Sequence, residues 1–189
     1  VSGAAWGAPV LLIAIDGLRP VDVREAKDKK INIPHLRRFM DEGSSARSVQ
    51  GVLPTVTYPS HTTLLTGAAP ARHGIVSNTS FDPLQINQTG WFWYGSDIRR
   101  DTLWDAAAKV GLSTANVHWP VSVGVRSIRW NLPQIWRTGH EDDAKLLNAL
   151  ATPKLLTELK VNGVPYAAGI DESIDADENR AEFAVNLIG

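Results

Sequence analysis

The apolar positions of this chain fall into short blocks between turn residues, and the spacing inside each block predicts its form. Val10-Leu-Leu-Ile-Ala-Ile15 is an unbroken apolar run between Pro9 and Asp16-Gly17. A short run without alternation predicts a strand buried on both faces of a parallel sheet. A helix is expected next. Pro34 sits near its start, Ile33, Leu36, Phe39 and Met40 share one face, and Gly43 closes it. Residues 46–52 predict a second strand. Pro54-Thr-Val-Thr-Tyr-Pro59 reads as a stiff loop bracketed by proline, and residues 60–66 as a helix that Gly67 ends.

Further along, Asp101 is expected to cap a helix over residues 102–110, closed by Gly111, and residues 112–119 fit a strand that stops at Pro120. Two later helices are predicted. One covers residues 143–160, kinked or split by Pro153, and one covers residues 176–187. Strands alternating with helices imply an α/β fold with helices on both faces of a sheet. The last helix carries Ala184, Val185, Leu187 and Ile188, just where the alternation would next supply a strand. The chain is therefore expected to be the N-terminal part of a single larger domain, with 1–189 lacking its C-terminal part.

Composition narrows the classes. With 189 residues, 43% hydrophobic and 21% charged, the chain can bury a sizeable core, which excludes a disordered or collagen-like polymer. Lys plus Arg number 19 against 20 Asp plus Glu, so there is no basic excess to signal nucleic-acid binding. No apolar run approaches the ~18 residues of a membrane span. Zero cysteine excludes thiol chemistry and cysteine-ligated zinc. Val1 to Trp6 show no basic segment followed by an apolar leader, which leaves a cytoplasmic protein and a processed, exported one both open.

Candidate chemistry gathers at two places. Asp16 directly follows the first predicted strand. In open α/β sheets ligands bind beyond the carboxyl ends of strands, and a carboxylate there suits a metal, although Asp-Gly is also an ordinary turn dipeptide. Thr57 precedes a predicted helix start, where backbone N–H groups and the dipole favour a phosphate. Its hydroxyl is a nucleophile if a bound metal lowers its pKa, and a local turn or cap residue otherwise. The five histidines form no close pair of the H-E-x-x-H kind. His61 and His73 flank the Thr57 segment, with packing as their ordinary role, and His118 ends a predicted strand. Trp91, Trp93 and Trp104 fit core packing, with a ring-binding rim as the lesser alternative. The nucleophile-elbow, P-loop and dinucleotide-binding glycine motifs are absent.

The order of these blocks is more specific than any one of them. Leu11-Leu-Ile-Ala-Ile-Asp16-Gly17-Leu18-Arg19-Pro20 comes first. Pro54-Thr-Val-Thr57-Tyr58-Pro59-Ser60-His61-Thr-Thr-Leu-Leu-Thr66-Gly67 follows, and then Pro70-Ala-Arg-His73-Gly74-Ile-Val-Ser-Asn78. Thr102-Leu103-Trp104 and His118-Trp119-Pro120 come later. Together they resemble the type I phosphodiesterase / nucleotide pyrophosphatase family of the alkaline phosphatase superfamily, over most of the chain.

The resemblance implies a three-layer α/β/α sandwich around a mixed, mostly parallel sheet, and two zinc ions. It places Asp16 at a metal-ligating aspartate and Thr57 at a nucleophile that also touches zinc. It implies hydrolysis of phosphodiester or pyrophosphate bonds of nucleotides or related small molecules through a phospho-threonine intermediate. Tyr58 matches an aromatic that packs against a substrate base or leaving group. Ser60 stands where the family has Asn, so a shorter donor faces the phosphate there. That departure keeps phosphomonoester, phosphonate or lipid phosphodiester substrates in view, and a non-catalytic relative without metals is the alternative of another class. The remaining Asp and His ligands that the resemblance calls for are not found after Thr57, and are expected in the missing C-terminal part. Periplasmic or secreted placement follows from family analogy alone.

Overall fold

The computed structural model describes residues 8–84, 90–135, 142–158, 160–161, 164–165 and 173–188. The chain forms two units, Val1–Gln50 and Gly51–Gly189.

The first unit contains two helices, α1 (Pro20–Arg24) and α2 (Pro34–Glu42). Each starts on a proline, whose fixed φ and missing N–H suit a first helical turn. Gly43 closes α2 as expected, donating its N–H to the Phe39 carbonyl at 3.0 Å. The apolar face read from the sequence exists but is not covered within the unit: α2 buries no residue, and Phe39 is 72% exposed. The strands expected over 10–15 and 46–52 are not formed among the described residues. Val10 is 92% exposed and Ile13 is 65% exposed. A strand exists through its partner's hydrogen bonds, and an apolar run specifies what a segment would bury without supplying that partner.

The second unit holds the packed core. Its helices are α3 (Thr57–Thr66), α4 (Pro70–His73), α5 (Leu103–Lys109), α6 (Asp143–Leu150), α7 (Leu155–Glu158) and α8 (Ile174–Ile188). Gly67 ends α3 in the left-handed conformation (φ 63°) that glycine adopts without steric cost. The cap of α5 is Thr102, not Asp101. Thr102 and Asp105 form a reciprocal capping box, while Asp101 pairs with Lys109. The break at Pro153 separates α6 from α7, as the sequence predicts.

Strands β1 (Ala115–Val117) and β2 (Trp130–Leu132) pair in parallel, with Asn116 opposite Asn131. β3 (Lys160–Val161) and β4 (Val164–Pro165) form a short antiparallel pair. The unit is thus mixed α/β, with a two-stranded parallel element among the described residues. Leu132, Ile135, Leu147, Leu155, Leu156 and Phe183 build the main core, which joins the β2 region to α6, α7 and α8. A second cluster joins Leu65 of α3 and Trp104 of α5 to Trp119 and Ile128.

Residues 118–129 connect β1 to β2 and turn back over the strand pair. Gly95 N–H donates to the Val123 carbonyl, and Val123 N–H donates to the Trp93 carbonyl, each at 2.9 Å. Glycine at position 95 allows this close approach, because a Cβ there would lie 2.1 Å from Val125 Cγ2 and force that side chain to move. A buried polar network holds the connection. Asn116 Nδ2 donates to Ser122 Oγ at 3.0 Å and to Asn131 Oδ1 at 2.7 Å, and Asn116 Oδ1 accepts from Trp119 N–H at 2.9 Å. Asn131 Nδ2 donates to the Ser122 carbonyl at 2.7 Å.

Truncating Asn116 would leave two buried groups, Asn131 Oδ1 and the Trp119 N–H, without their partner, each costing about 1–3 kcal/mol, while Ser122 Oγ keeps its bond to the Trp119 carbonyl. Asn116→Ala is therefore expected to lower the unfolding free energy by about 2 kcal/mol or more in a denaturant titration. A loss below about 1 kcal/mol would show that water replaces the carboxamide and that the network does not hold the loop.

Candidate active site

Helix α3 starts three residues earlier than the sequence predicts, so Thr57 is its first helical residue rather than part of a preceding loop. Pro59 is tolerated within the first turn because its missing N–H has no intrahelical partner to lose. Val56 precedes the helix in extended conformation (φ −118°, ψ 162°) and provides no side-chain cap. Thr57 is half-buried. Ser60 and His61 lie three and four residues on, so all three start from one face of α3.

The helix start offers fewer open N–H groups than an ideal phosphate cradle. Pro59 has none, and Tyr58 N–H is taken by Asn78 Oδ1 at 2.8 Å. Asn78 thus does the capping that no local side chain performs. It is held in turn by backbone pairing, since its carbonyl accepts from Phe92 N–H at 3.0 Å and Thr79 bridges Trp91. A carboxamide that accepts through its oxygen still has an NH2 group to donate. Asn78 is therefore the functional candidate that reading single residues passed over. Its signal was the last position of the Gly74-Ile-Val-Ser-Asn78 block.

Tyr58, expected against a substrate, is instead a core residue and 2% exposed. Its ring packs on Trp91, with centroids 5.4 Å apart, and beside Ile75 and Val121. Burial raises the pKa of its phenol, whose hydroxyl is buried without a hydrogen-bond partner among the described residues. The residue after Thr57 therefore anchors the helix start from below.

His73 is fully buried, and its tautomer is fixed. Ile75 N–H donates to Nδ1 at 3.1 Å, so the ring proton sits on Nε2, which donates to Thr63 Oγ1 at 3.0 Å. His73 joins α4 to α3 and has no lone pair left for catalysis while neutral. Burial, the largest influence, lowers its pKa, and a hydrogen bond to the Pro59 carbonyl partly offsets this. His61 Nδ1 lies 2.8 Å from the Thr57 carbonyl and, facing an acceptor, carries the proton. His118 is half-buried, and its pKa is lowered by burial and by the charge of Arg180.

Asp16 belongs to the first unit and is exposed in a turn. Gly17, at φ 71°, donates its N–H to Asp16 Oδ1 at 3.1 Å. The turn geometry read from Asp-Gly is present, and the carboxylate remains chemically suited to a cation. Among the described residues, no three His, Asp or Glu side chains converge to hold a metal ion. The Asp16 carboxylate and the Thr57 hydroxyl are each chemically able to ligate a metal, and neither unit completes a ligand set among its described residues. No helix among the described residues is long and apolar enough to cross a membrane.

A family model described as type I phosphodiesterase / nucleotide pyrophosphatase matches residues 10–179. The chain is similar to ectonucleotide pyrophosphatase/phosphodiesterase family member 3 of Rattus norvegicus, at 27% identity over 139 residues, 68% of this chain and 15% of that protein. It is similar to a venom phosphodiesterase of Naja atra, at 30% identity over 121 residues, 61% of this chain and 14% of that protein. It is also similar to a bis(5'-adenosyl)-triphosphatase of Mus musculus, at 29% identity over 118 residues, 59% of this chain and 24% of that protein. The chain thus spans 14–24% of the length of these relatives.

The histidines give the fold a pH dependence of definite sign. Folded-state pKa values of His73 and His118 lie below the ordinary value near 6.5, so the unfolded chain binds these protons more readily. Stability is complete above about pH 6.5 and declines as pH falls below it. Asp105, whose pKa is lowered, adds to this decline only below about pH 4. The denaturant midpoint should be lower at pH 5 than at pH 7.5, with a shallower pH slope in His73→Gln. A midpoint that rises towards pH 5 would contradict the buried, neutral His73.

Proposed function

This chain belongs to the type I phosphodiesterase / nucleotide pyrophosphatase family, and on that footing we propose that the protein hydrolyses phosphodiester or pyrophosphate bonds of nucleotides or related compounds, with Thr57 as nucleophile. One observation carries the proposal. Thr57 opens a helix whose start is capped from outside by the carboxamide of Asn78, with the Ser60 hydroxyl three residues on.

In this reading the deprotonated Thr57 Oγ attacks phosphorus in line and expels the alcohol or nucleotide. Water then cleaves the threonine–phosphorus bond, so one hard displacement becomes two. Ser60 Oγ and the Asn78 NH2 group donate to non-bridging oxygens, where charge accumulates. The dipole of α3 favours the same negative charge. We propose two zinc ions for the complete site, with Asp16 and Thr57 as this chain's ligands and further ligands in sequence beyond it. When bound, they would supply the positive charge that lowers the pKa of the threonine hydroxyl and stabilises the entering and leaving oxygens. The three-layer α/β/α sandwich belongs to the same proposal, with the parallel β1–β2 pair as part of its sheet. Residues 1–189 are then the N-terminal part of one catalytic domain.

Ser60 favours a second reading, a phosphomonoesterase, phosphonate hydrolase or lipid phosphodiesterase of the same superfamily. A serine donates one hydrogen bond with a shorter reach than the family's Asn.

The test uses the natural-length protein with a nitrophenyl nucleotide diester and with nitrophenyl phosphate. Faster turnover of the diester is expected, and Thr57→Ala should reduce it by roughly a thousandfold or more, as loss of a nucleophile does. A preference for the monoester would move the protein to the second reading. A Thr57→Ala variant as fast as the parent would remove Thr57 from the mechanism.

A further inference from the structure

The first turn of α3 is gripped by one strained loop. His118 (φ 57°) and Val121 (φ 55°) both lie in the left-handed region. Neither has glycine's freedom, and for a β-branched valine this conformation is strongly disfavoured. Such backbone persists where its surroundings over-determine it, and it collects at functional sites. Here the surroundings are the Asn116, Ser122 and Asn131 network, together with the pairing of Val123 to residues 93–95.

The strained loop delivers two side chains to α3. Val121 is fully buried against Tyr58, the residue after Thr57. Trp119 meets the ring of His61 edge-on, with centroids 4.9 Å apart and planes at 69°. Trp119 is itself fixed among Leu65, Trp104 and Ile128. His61 in turn donates from Nδ1 to the carbonyl of Thr57 at 2.8 Å. A side-chain donor on that carbonyl restrains rotation about the Cα–C bond of Thr57, the frame from which its hydroxyl projects. Of the α3 residues that the loop touches, two are thus bonded to Thr57, covalently in Tyr58 and by hydrogen bond in His61, and Leu65 anchors Trp119 further along the helix.

We infer that His61 is a positioning residue for Thr57, fixing its peptide plane through Nδ1–H while Trp119 of the strained loop fixes the imidazole. The inference rests on the reading of Thr57 as nucleophile. His61 moves no proton in this role, because the Nδ1 proton is committed to the carbonyl.

Steady-state kinetics on a nitrophenyl nucleotide diester test it, with the natural-length protein and its His61→Leu, His61→Asn and Thr57→Ala variants. Leucine keeps an apolar contact for Trp119 without a donor. Asparagine places an amide N–H close to where Nδ1 lies. A misplaced nucleophile loses rate rather than substrate binding, so His61→Leu should lower kcat roughly 10- to 100-fold with KM nearly unchanged. His61→Asn should restore most of that loss. Parental kcat in His61→Leu, or an equal loss in His61→Asn, would overturn the positioning role. If His61→Leu does not fold, His61→Asn decides alone: near-parental kcat supports the role and a tenfold loss overturns it. Thr57→Ala separates the two readings. An inactive Thr57→Ala beside an unimpaired His61→Leu removes only the role of His61, and an active Thr57→Ala removes the nucleophile and the inference with it.

Discussion

A helix that begins inside a protein must have its first N–H groups satisfied, and α3 meets that demand through a residue far from it in sequence. Val56 cannot cap and Pro59 cannot donate, so the Tyr58 N–H depends on the Asn78 carboxamide. Much of the second unit serves to keep that carboxamide in place. Pro70 and Gly74 shape the short α4, His73 ties α4 to Thr63, and the backbone of Asn78 pairs with Phe92. The result is a threonine at a helix start with a second amide group beside it, an arrangement suited to gathering negative charge around a reacting phosphorus.

The other support comes from the β1–β2 connection. A parallel pair joined without a helix needs another way to fold its crossover back, and this chain uses side-chain amides. Asn116 and Asn131 sit opposite each other in the ladder, and both bond into the loop they bracket. Their satisfaction is what allows His118 and Val121 to stay left-handed. Strain at one end of the second unit and order at the start of α3 are therefore consequences of the same buried network.

Local chemistry made part of this legible in advance. Gly43 and Gly67 ended helices where a helix terminus needs them, and Pro153 divided α6 from α7. These signals act within a few residues, so sequence order carries them whole. Thr57, Asp16 and Ser60 were singled out by position and resemblance, while α3 starts three residues before the expected residue 60 and takes Thr57 into its first turn. What stayed hidden depends on contacts distant in sequence. The run at residues 10–15 has a strand's composition, but composition does not name a neighbour. Tyr58 matched an aromatic that packs against a substrate, and its burial against Trp91, Ile75 and Val121 depends on residues distant in sequence. Asn78 could not be valued by itself, because its worth lies in an N–H twenty positions earlier. The preference for Thr102 over Asp101 as a cap turned on a reciprocal bond with Asp105, a geometry that one-residue propensities do not resolve.

The proposed mechanism requires Thr57 to form a bond to phosphorus during turnover. Acid-quenching the natural-length protein during turnover of a nucleotide diester, then mapping modified peptides by mass spectrometry, tests it most directly. A phosphoryl adduct, carrying the remaining ester group, is expected on the peptide containing Thr57 and localised to that residue. Turnover with an unmodified Thr57 peptide throughout, or an adduct on another residue, would contradict it.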